Sequence, residues 1–277
     1  GGGPRALHED WGGIMMKANY HTHTVRCKHA RGEDKAYVEA ALRAGFDLLG
    51  FSDHAPWPFA RGYVSGIRMD LQQLGGYVQS IRRLRDQYAG QINILLGLEC
   101  EYFPRYHDHV RWLRDQGLDY LILGQHSADS EEDTPYTNQV SRTSEGVLRY
   151  AETTVKGIQT GLYDCLAHPD MMMSQRNPDE FDAACMEAAD MICQAAKEMH
   201  LPIEYNLLGL DCQLRGQDRG YPCAPFWQYI RKWDNEVILG LDAHQPSMLT
   251  DLPLWKQGRA NVESMGYRLL DHLPLCI

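Results

Sequence analysis

The sequence predicts an α/β protein whose seven parallel strands close in the manner of a barrel. Apolar strand-like runs alternate with helix-like stretches along the chain, a pattern that is typical of parallel sheets. Seven such repeats occupy most of the 277 residues, and no linker rich in Pro, Gly or Ser divides them. A doubly wound open sheet is the alternative arrangement of the same elements.

The strand-like runs, in chain order, are IMMKANY (14–20), FDLLGF (46–51), INILLGLEC (92–100), YLILGQ (120–125), YDCLAH (163–168), LPIEYN (201–206) and VILGLDA (237–243). A barrel-like closure suits this number of strands.

The clearest helix is predicted over residues 178–199. Apolar residues recur there at three- and four-residue steps from Phe181 to Met199, which gives the helix one apolar face. Asn177 is suited to cap its start, and Pro178 is suited to its first turn.

Two further helices, two loops and an N-terminal extension are predicted from the remaining segments. Helices are predicted over residues 33–44 and 70–88, although paired glycines weaken the second. The polar segments 60–68 and 128–142 are predicted to be loops over the face where the strands end. Residues 1–14 are expected to be a flexible N-terminal extension that lies outside the fold.

The charge and composition of the chain indicate which partners and which cellular environment to expect. The net charge of −10 argues against nucleic acid and anionic membranes, which attract basic surfaces. No run of about 18 apolar residues is present, so no membrane span is predicted. The eight cysteines are scattered without a CxxC pair, which predicts reduced thiols in a cytoplasmic protein.

Residues able to bind metal follow almost every predicted strand. In chain order they are His21, His23, Asp53, His54, Glu99, Glu101, His126, His168, Asp170, Glu204, Asp242 and His244. Because the carboxyl ends of parallel strands meet at one face, these side chains are expected to gather there. A single histidine at a strand end is usually hydrogen bonded or exposed, but this repetition predicts a site for several metal ions.

Local spacing separates the candidate ligands from similar-looking residues. His21 and His23 point to the same side of a strand, so both can bind one ion. His107 and His109 have the same spacing in a helical segment, where such residues do not share a face, and they are not predicted to bind metal. Cys27 has no partner thiol nearby in sequence and is not predicted to be a ligand either.

These motifs, in this order, resemble those of the PHP (polymerase and histidinol phosphatase) family of metal-dependent phosphoesterases. The resemblance rests on HTH, SDH, GLE, GQH, AHPD and GLDAH and covers nearly the whole chain. The segments GLECEYFP, EYN and LGLDAHQP are most similar to the histidinol-phosphate phosphatase branch. The resemblance implies a distorted (β/α)7 barrel, similar to a TIM barrel, in a single domain over residues 15–277.

The resemblance also implies a centre of three divalent metal ions. Its ligands would be His21, His23, Glu99 and Asp242 for one ion, Glu99, His126 and His168 for a second, and His29, His54 and His244 for the third. Zinc, iron and manganese all accept these ligands. Asp53 and Asp170 are candidates for orienting the imidazoles, or are turn and capping residues.

The implied reaction is hydrolysis of a small phosphate ester, L-histidinol phosphate above all, by a metal-activated hydroxide. Arg176 and Arg215 are the predicted substrate-binding residues, because the planar guanidinium suits phosphate. Arg61 and Arg68 are weaker candidates for the same role. A place in histidine biosynthesis follows from the resemblance alone.

Several alternatives stay open at this point. Glu101, Glu204 and Asp129 are equal candidates for contacting an amine on the substrate. Another small phosphate ester or a nucleotide, a nucleic acid substrate, and a purely structural metal site are the competing functions. The metals bound and the oligomeric state are not determined by the sequence.

Overall fold

The seven strands are all parallel and pair in chain order, from the first strand to the seventh. The computed structural model describes residues 17–133, 142–174 and 176–275. The predicted N-terminal extension and residues 134–141 of the second predicted loop lie outside the described residues. The order of the strands confirms the predicted TIM-like barrel and excludes the doubly wound sheet, in which the order of strands reverses at a switch point.

The strands are β1 (Ala18–Asn19), β2 (Leu48–Phe51), β3 (Asn93–Cys100), β4 (Tyr120–Leu123), β5 (Cys165–Leu166), β6 (Ile203–Asn206) and β7 (Val237–Gly240). The helices are α1 (Asp34–Arg43), α2 (Leu74–Gln87), α3 (His107–Arg114), α4 (Ser144–Gln159), α5 (Ala183–Glu198), α6 (Leu207–Leu214), α7 (Ala224–Tyr229) and α8 (Leu252–Ser264).

The barrel closes between the segments that follow β1 and β7. The N–H of His23 donates to the carbonyl of Ala243 at 2.9 Å, and the N–H of Ala243 donates to the carbonyl of His21 at 3.1 Å. The side chain of Asn19 adds a third link, because its Oδ1 accepts from the N–H of Leu241 at 2.8 Å. Closure therefore places the residues after the first strand directly beside those after the last.

Tyr120 fills the interior of the barrel. Its hydroxyl donates to the carbonyls of Tyr20 at 2.5 Å and Phe51 at 3.0 Å, which ties β4 to the opposite wall. Gly50 and Gly97 make room for it, since a Cβ at either position would lie 2.3 or 2.6 Å from the Tyr120 side chain. A second, larger apolar layer lies between the strands and the surrounding helices.

The helix predicted over residues 178–199 begins later than expected. Asn177 caps a separate turn of 3-10 helix over Pro178–Glu180, and α5 itself starts at Ala183 with Asp182 as its cap. The apolar periodicity therefore predicts the body of the helix correctly, but Asn177 and Pro178 cap the preceding turn and not the helix itself. Helices of the described residues are all too short or too polar to cross a membrane.

Candidate metal centre

The carboxylate of Glu99, at the end of β3, lies at the centre of a group of imidazoles. Its Oε1 atom lies 3.2 Å from Nε2 of His126 and 3.0 Å from Nε2 of His168. Its Oε2 atom lies 3.4 Å from Nε2 of both His21 and His23. The two oxygens of one carboxylate therefore face two different pairs of imidazoles.

Asp242 and His54 complete the part of the cluster around Oε2 of Glu99. Oδ1 of Asp242 lies 3.4 Å from Nε2 of His21 and 3.0 Å from Nε2 of His23. Nδ1 of His54 lies 3.1 Å from Oε2 of Glu99. The side chains of all five residues are nearly or completely buried.

His29 and His244 form the outer part of the cluster. Their Nε2 atoms lie 3.0 Å apart. The ring of His244 also stacks on that of His23, with the ring centroids 4.2 Å apart. Together with the two preceding groups, these contacts bring all nine sequence-predicted ligands into one cluster at the carboxyl ends of the strands.

The distances between the donor atoms, and the buried nitrogens of the cluster, are suited to binding metal ions. Two donor atoms bound at about 2.1 Å to a tetrahedral zinc ion are roughly 3.4 Å apart, which matches the distances above. Nε2 of His21, Nε2 of His23 and Nδ1 of His54 are buried and lie near these carboxylate oxygens, but they make no hydrogen bond of normal geometry with the described residues. Buried polar atoms without partners are costly, and a metal ion would satisfy them.

The charges of the cluster are strongly coupled in the metal-free protein. Burial alone would raise the pKa of Glu99, but the surrounding imidazoles of His126, His54 and His21 hold that pKa well below its usual range. Burial and the neighbouring His23 lower the pKa of His244 to about 3. The cluster thus combines ionised carboxylates with imidazoles that compete for the same few protons, and metal ligands must be free of protons.

Two of the imidazoles are oriented by buried carboxylates. Nδ1 of His21 lies 2.6 Å from Oε2 of Glu204, which is the sixth-strand residue of the motif EYN. Nδ1 of His126 lies 2.9 Å from Oε1 of Glu101. In each ring a carboxylate holds Nδ1, so Nε2 is the nitrogen that faces the cluster and would bind a metal ion once it is free of its proton.

Backbone carbonyls orient two more imidazoles. Nδ1 of His29 lies 2.7 Å from the carbonyl oxygen of Cys27, and Nδ1 of His244 lies 2.8 Å from that of Asp242. Each histidine follows its carbonyl partner by two residues, so a short turn of the chain sets the ring orientation. The Nε2 atoms of the two rings then face each other at the 3.0 Å given above.

Two glycines leave space for the buried carboxylates. A Cβ on Gly124, after β4, would lie 2.0 Å from Oε1 of Glu99. A Cβ on Gly240, at the end of β7, would lie 1.9 Å from Oε2 of Glu204. The glycines of the motifs GQH and GLDAH are therefore required by side chains from the neighbouring strands.

The backbone is strained at two of the predicted ligands. His168 has a φ of 30° and Asp242 has a φ of 49°, and residues other than glycine rarely adopt positive φ angles. Strain of this kind costs about 1–3 kcal/mol and persists where the surrounding structure enforces it, commonly at functional sites.

Comparison with known proteins agrees with this arrangement. A family model described as the PHP domain matches residues 19–206, which carry the ligand candidates from His21 to His168. The chain belongs to the PHP domain family. Asp242 and His244 lie beyond the matched PHP segment, but they join it in space through the closure of the barrel.

Two proteins that are similar in sequence to this chain are both named as histidinol-phosphatases. A "probable histidinol-phosphatase" of Deinococcus radiodurans is 29% identical over 235 residues, which cover 82% of this chain and 85% of the relative. A histidinol-phosphatase of Bacillus subtilis is 32% identical over 111 residues, which cover 39% of this chain and 41% of the relative.

A solved structure is similar over almost its whole length. The crystal structure of histidinol phosphate phosphatase from Lactococcus lactis, in complex with zinc, L-histidinol and phosphate, aligns with a TM-score of 0.69 and covers 92% of this chain and 95% of that one. The sequence identity is 19%, so this likeness shows the PHP fold alone.

The two arginines predicted to bind substrate lie in different places. Arg176 donates to Asp182, at the start of α5, at 3.1 Å. Arg215 follows α6 and borders the same surface depression as His29 and His244. Arg215 therefore adjoins the metal cluster, whereas the described contacts of Arg176 are with residues at the start of α5.

Arg219 is a candidate that sequence reasoning missed. Burial would lower the pKa of its guanidinium, but Tyr221, Cys212 and Asp242 together raise it. Tyr221 in turn packs against His168, with the ring centroids 5.9 Å apart. Arg219 therefore lies within electrostatic reach of the cluster, and only the local sequence order LRGQDRGY could have drawn attention to it.

Arg68, a weaker sequence candidate, is buried in an ion-pair network. Its guanidinium donates to both oxygens of Glu101, at 2.7 and 3.0 Å, and from Nε to Glu131 at 2.9 Å. Burial would raise the pKa of Glu101, but Arg68 and His126 lower it to about 2. Arg61, the other weaker candidate, is largely exposed.

The carboxylates proposed to orient imidazoles differ from each other. Oδ1 of Asp53 lies 3.4 Å from Nδ1 of His23. Asp170 has another role: its Oδ2 accepts from the N–H of Cys223 and from Nε1 of Trp227, and Nδ1 of His168 has no hydrogen-bond partner among the described residues. Asp170 thus fastens the segment that leads into α7.

Of the residues not predicted to bind metal, His109 lies outside the cluster, whereas Cys27 lies beside it. His109 belongs to α3, and its Nε2 lies 2.8 Å from the carbonyl of Pro56, away from the cluster. Cys27 is buried beside His29, and its sulfur accepts the N–H of Ala30 at 3.3 Å. The sulfur is close enough to His29 and His244 to share an ion with them, which the sequence alone did not indicate.

Proposed function

We propose that this protein is a metal-dependent phosphomonoesterase that hydrolyses L-histidinol phosphate to L-histidinol and phosphate. The observation that carries the proposal is the carboxylate of Glu99, which has five imidazole nitrogens within 3.4 Å of its two oxygens. The names of the relatives, and the ligands of the solved structure with the same fold, support the choice of substrate.

The nine clustered residues divide into three proposed ion sites. The ligand sets are His21, His23, Glu99 and Asp242 for the first ion, Glu99, His126 and His168 for the second, and His29, His54 and His244 for the third. Zinc, iron and manganese are all compatible with these donors. When bound, the ions would lower the pKa of water and neutralise charge on the phosphoryl oxygens.

The protein's own residues would set the geometry of the reaction. Glu204 and Glu101 hold the rings of His21 and His126 in one orientation, as the hydrogen bonds above describe. Arg215 and Arg219 are the proposed donors to the phosphate, while Arg176 stays a prediction from the sequence. Water would add to phosphorus as the bond to the alkyl oxygen breaks, and the departing oxygen would take up a proton.

The test is a metal analysis followed by a substrate screen. The purified protein should contain stoichiometric transition metal and should hydrolyse L-histidinol phosphate in preference to dinucleotides and single-stranded DNA. Chelation and the substitution His168→Ala should each abolish turnover while the circular dichroism spectrum is retained. Full activity after complete metal removal would overturn the mechanism, and a clear preference for another phosphate ester would support the alternative of a different substrate.

Two broader expectations remain proposals. A reducing, cytoplasmic environment is consistent with the seven cysteines of the described residues, which are all buried free thiols. A role in histidine biosynthesis would follow if L-histidinol phosphate proves to be the substrate.

A further inference from the structure

A surface depression of about 240 Å³ opens beside the outer part of the metal cluster. His29 and His244 form one side of it, and residues of α6 and the segment after that helix form the other. A molecule whose phosphate reaches the cluster from this side would rest its remaining atoms in this depression. Its lining residues therefore bear on which phosphate ester is accepted.

The depression contains a carboxylate beside two arginines. Asp211 lies in α6, Arg215 follows that helix, and Arg31 also lines the depression. Nε of Arg215 donates to Oδ1 of Asp211 at 2.8 Å. Oδ2 of Asp211 accepts no hydrogen bond from the described residues, so one carboxylate oxygen is available.

This combination of charges does not suit a simple anion. A phosphate would be attracted by Arg31 and Arg215 but repelled by Asp211, which lines the same depression. A ligand with both a phosphate and an ammonium group would satisfy both charges of the Asp211–Arg215 pair. Leu208 and Met248 also line the depression and offer apolar surface to the rest of such a ligand.

The other carboxylates considered for an amine have partners of their own. Glu101 is held by Arg68 and His126. Glu204 accepts from Asn206 and orients His21, as described above.

Asp129 lies outside the depression and pairs with Arg149 through both carboxylate oxygens, at 2.7 and 2.6 Å. Asp211 is thus the carboxylate among these candidates that borders the cluster and keeps an oxygen available.

We infer that Asp211 is a specificity-determining residue that binds the ammonium group of a 2-amino alcohol phosphate. In such a compound the ammonium and the phosphate are on neighbouring carbons, so both groups can contact one ion pair. Arg215 would contact the phosphate while Asp211 contacts the amine. The inference rests on the proposed function and identifies the feature of the substrate that the protein selects.

The test compares two substrates and two variants. The substrates are L-histidinol phosphate and its analogue without the amine, 3-(imidazol-4-yl)propyl phosphate. The substitution Asp211→Asn should lower kcat/KM for L-histidinol phosphate by about 10- to 100-fold, as expected for a charged hydrogen bond. It should leave kcat/KM for the analogue nearly unchanged. Asp129→Asn, the matched control, should affect neither substrate.

The outcomes separate this inference from the proposed function. An equal loss on both substrates for Asp211→Asn would show that Asp211 only positions Arg215, and would overturn the inference. Equal rates of the unmodified protein on the two substrates would overturn it as well. Hydrolysis of neither substrate by the metal-loaded protein would contradict the proposed function, and the inference with it. Thermal unfolding of each variant checks that the fold is retained.

Discussion

Nδ1 of His21 lies 2.6 Å from Oε2 of Glu204, so a residue after the first strand is held by a residue in the sixth. Both side chains are almost completely buried. The contact fixes the orientation of the His21 ring, and it leaves Nε2 directed at Glu99 and Asp242. A partner that orients a ligand in this way is expected to matter nearly as much as the ligand itself.

Replacing Glu204 by Gln should therefore weaken metal binding without unfolding the protein. The amide has nearly the same shape, but it loses the charge that strengthens the bond to His21. We expect a loss of about 10- to 100-fold in metal affinity, measured by competition with a chromogenic chelator. The exposed Glu198→Gln is the control and should bind metal normally. Equal affinity for both variants would show that Glu204 does not position His21.

The substitution Gly124→Ala should disrupt the same centre by a steric route. The added Cβ would lie 2.0 Å from Oε1 of Glu99, so that carboxylate would have to move away from His126 and His168. We expect phosphatase activity to fall by at least about tenfold, since small displacements at a reaction centre are costly.

Gly75 supplies the matched control for that substitution. It lies in α2, and a Cβ there has nothing within 4 Å. Gly75→Ala should leave activity unchanged and should stabilise the protein by about 0.5–1 kcal/mol, as alanine does within a helix. If both variants kept full activity, the activity would not depend on the present position of the Glu99 carboxylate.

The strand ends were predictable because one geometric rule acts on all of them. Parallel strands bring their carboxyl ends to one face, so His21, Glu99 and His168 could be grouped from the sequence without knowing any contact. The helix starting point was not predictable in the same way. Asn177 and Pro178 form a capping signal that serves a single turn as well as a long helix.

The partners of the predicted ligands could not be read from the sequence. Glu101 and Glu204 were equal candidates for a substrate amine, because strand position does not reveal which neighbour a carboxylate contacts. Arg68 was a weaker candidate for binding substrate, but it is only 2% exposed and pairs with two buried carboxylates. Such contacts depend on how loops pack, and loops have no sequence periodicity that would predict their packing.

Loss of the Arg68 side chain should strongly destabilise the fold. Arg68→Met would leave the carboxylates of Glu101 and Glu131 buried without their cation. Removing one member of a buried ion pair typically costs about 3–5 kcal/mol. The exposed pair of Arg149 and Asp129 is the control, and Arg149→Met should cost less than about 1 kcal/mol. The free energy of unfolding in urea measures both, and similar values would contradict the buried network.

Binding of metal to the metal-free protein should release protons at pH 7. Burial alone would lower the pKa of His21, His23 and His126, but the carboxylates around them raise all three pKa values well above the usual 6.5. All three rings are therefore charged at pH 7 and contribute stability that is lost as the pH rises through the raised pKa values. His54 and His244 have lowered pKa values and are already neutral at that pH.

Because ligating nitrogens must be deprotonated, the charged rings have to lose their protons when metal binds. We expect on the order of three protons per protein at pH 7, and progressively fewer as the pH rises. Calorimetric titration of metal into chelator-treated protein, in buffers with different ionisation enthalpies, measures this number. His109→Gln should release the same number, because His109 lies outside the cluster. Binding without proton release at pH 7 would mean that His21, His23 and His126 are neutral before metal binds, which would contradict the charge coupling around Glu99.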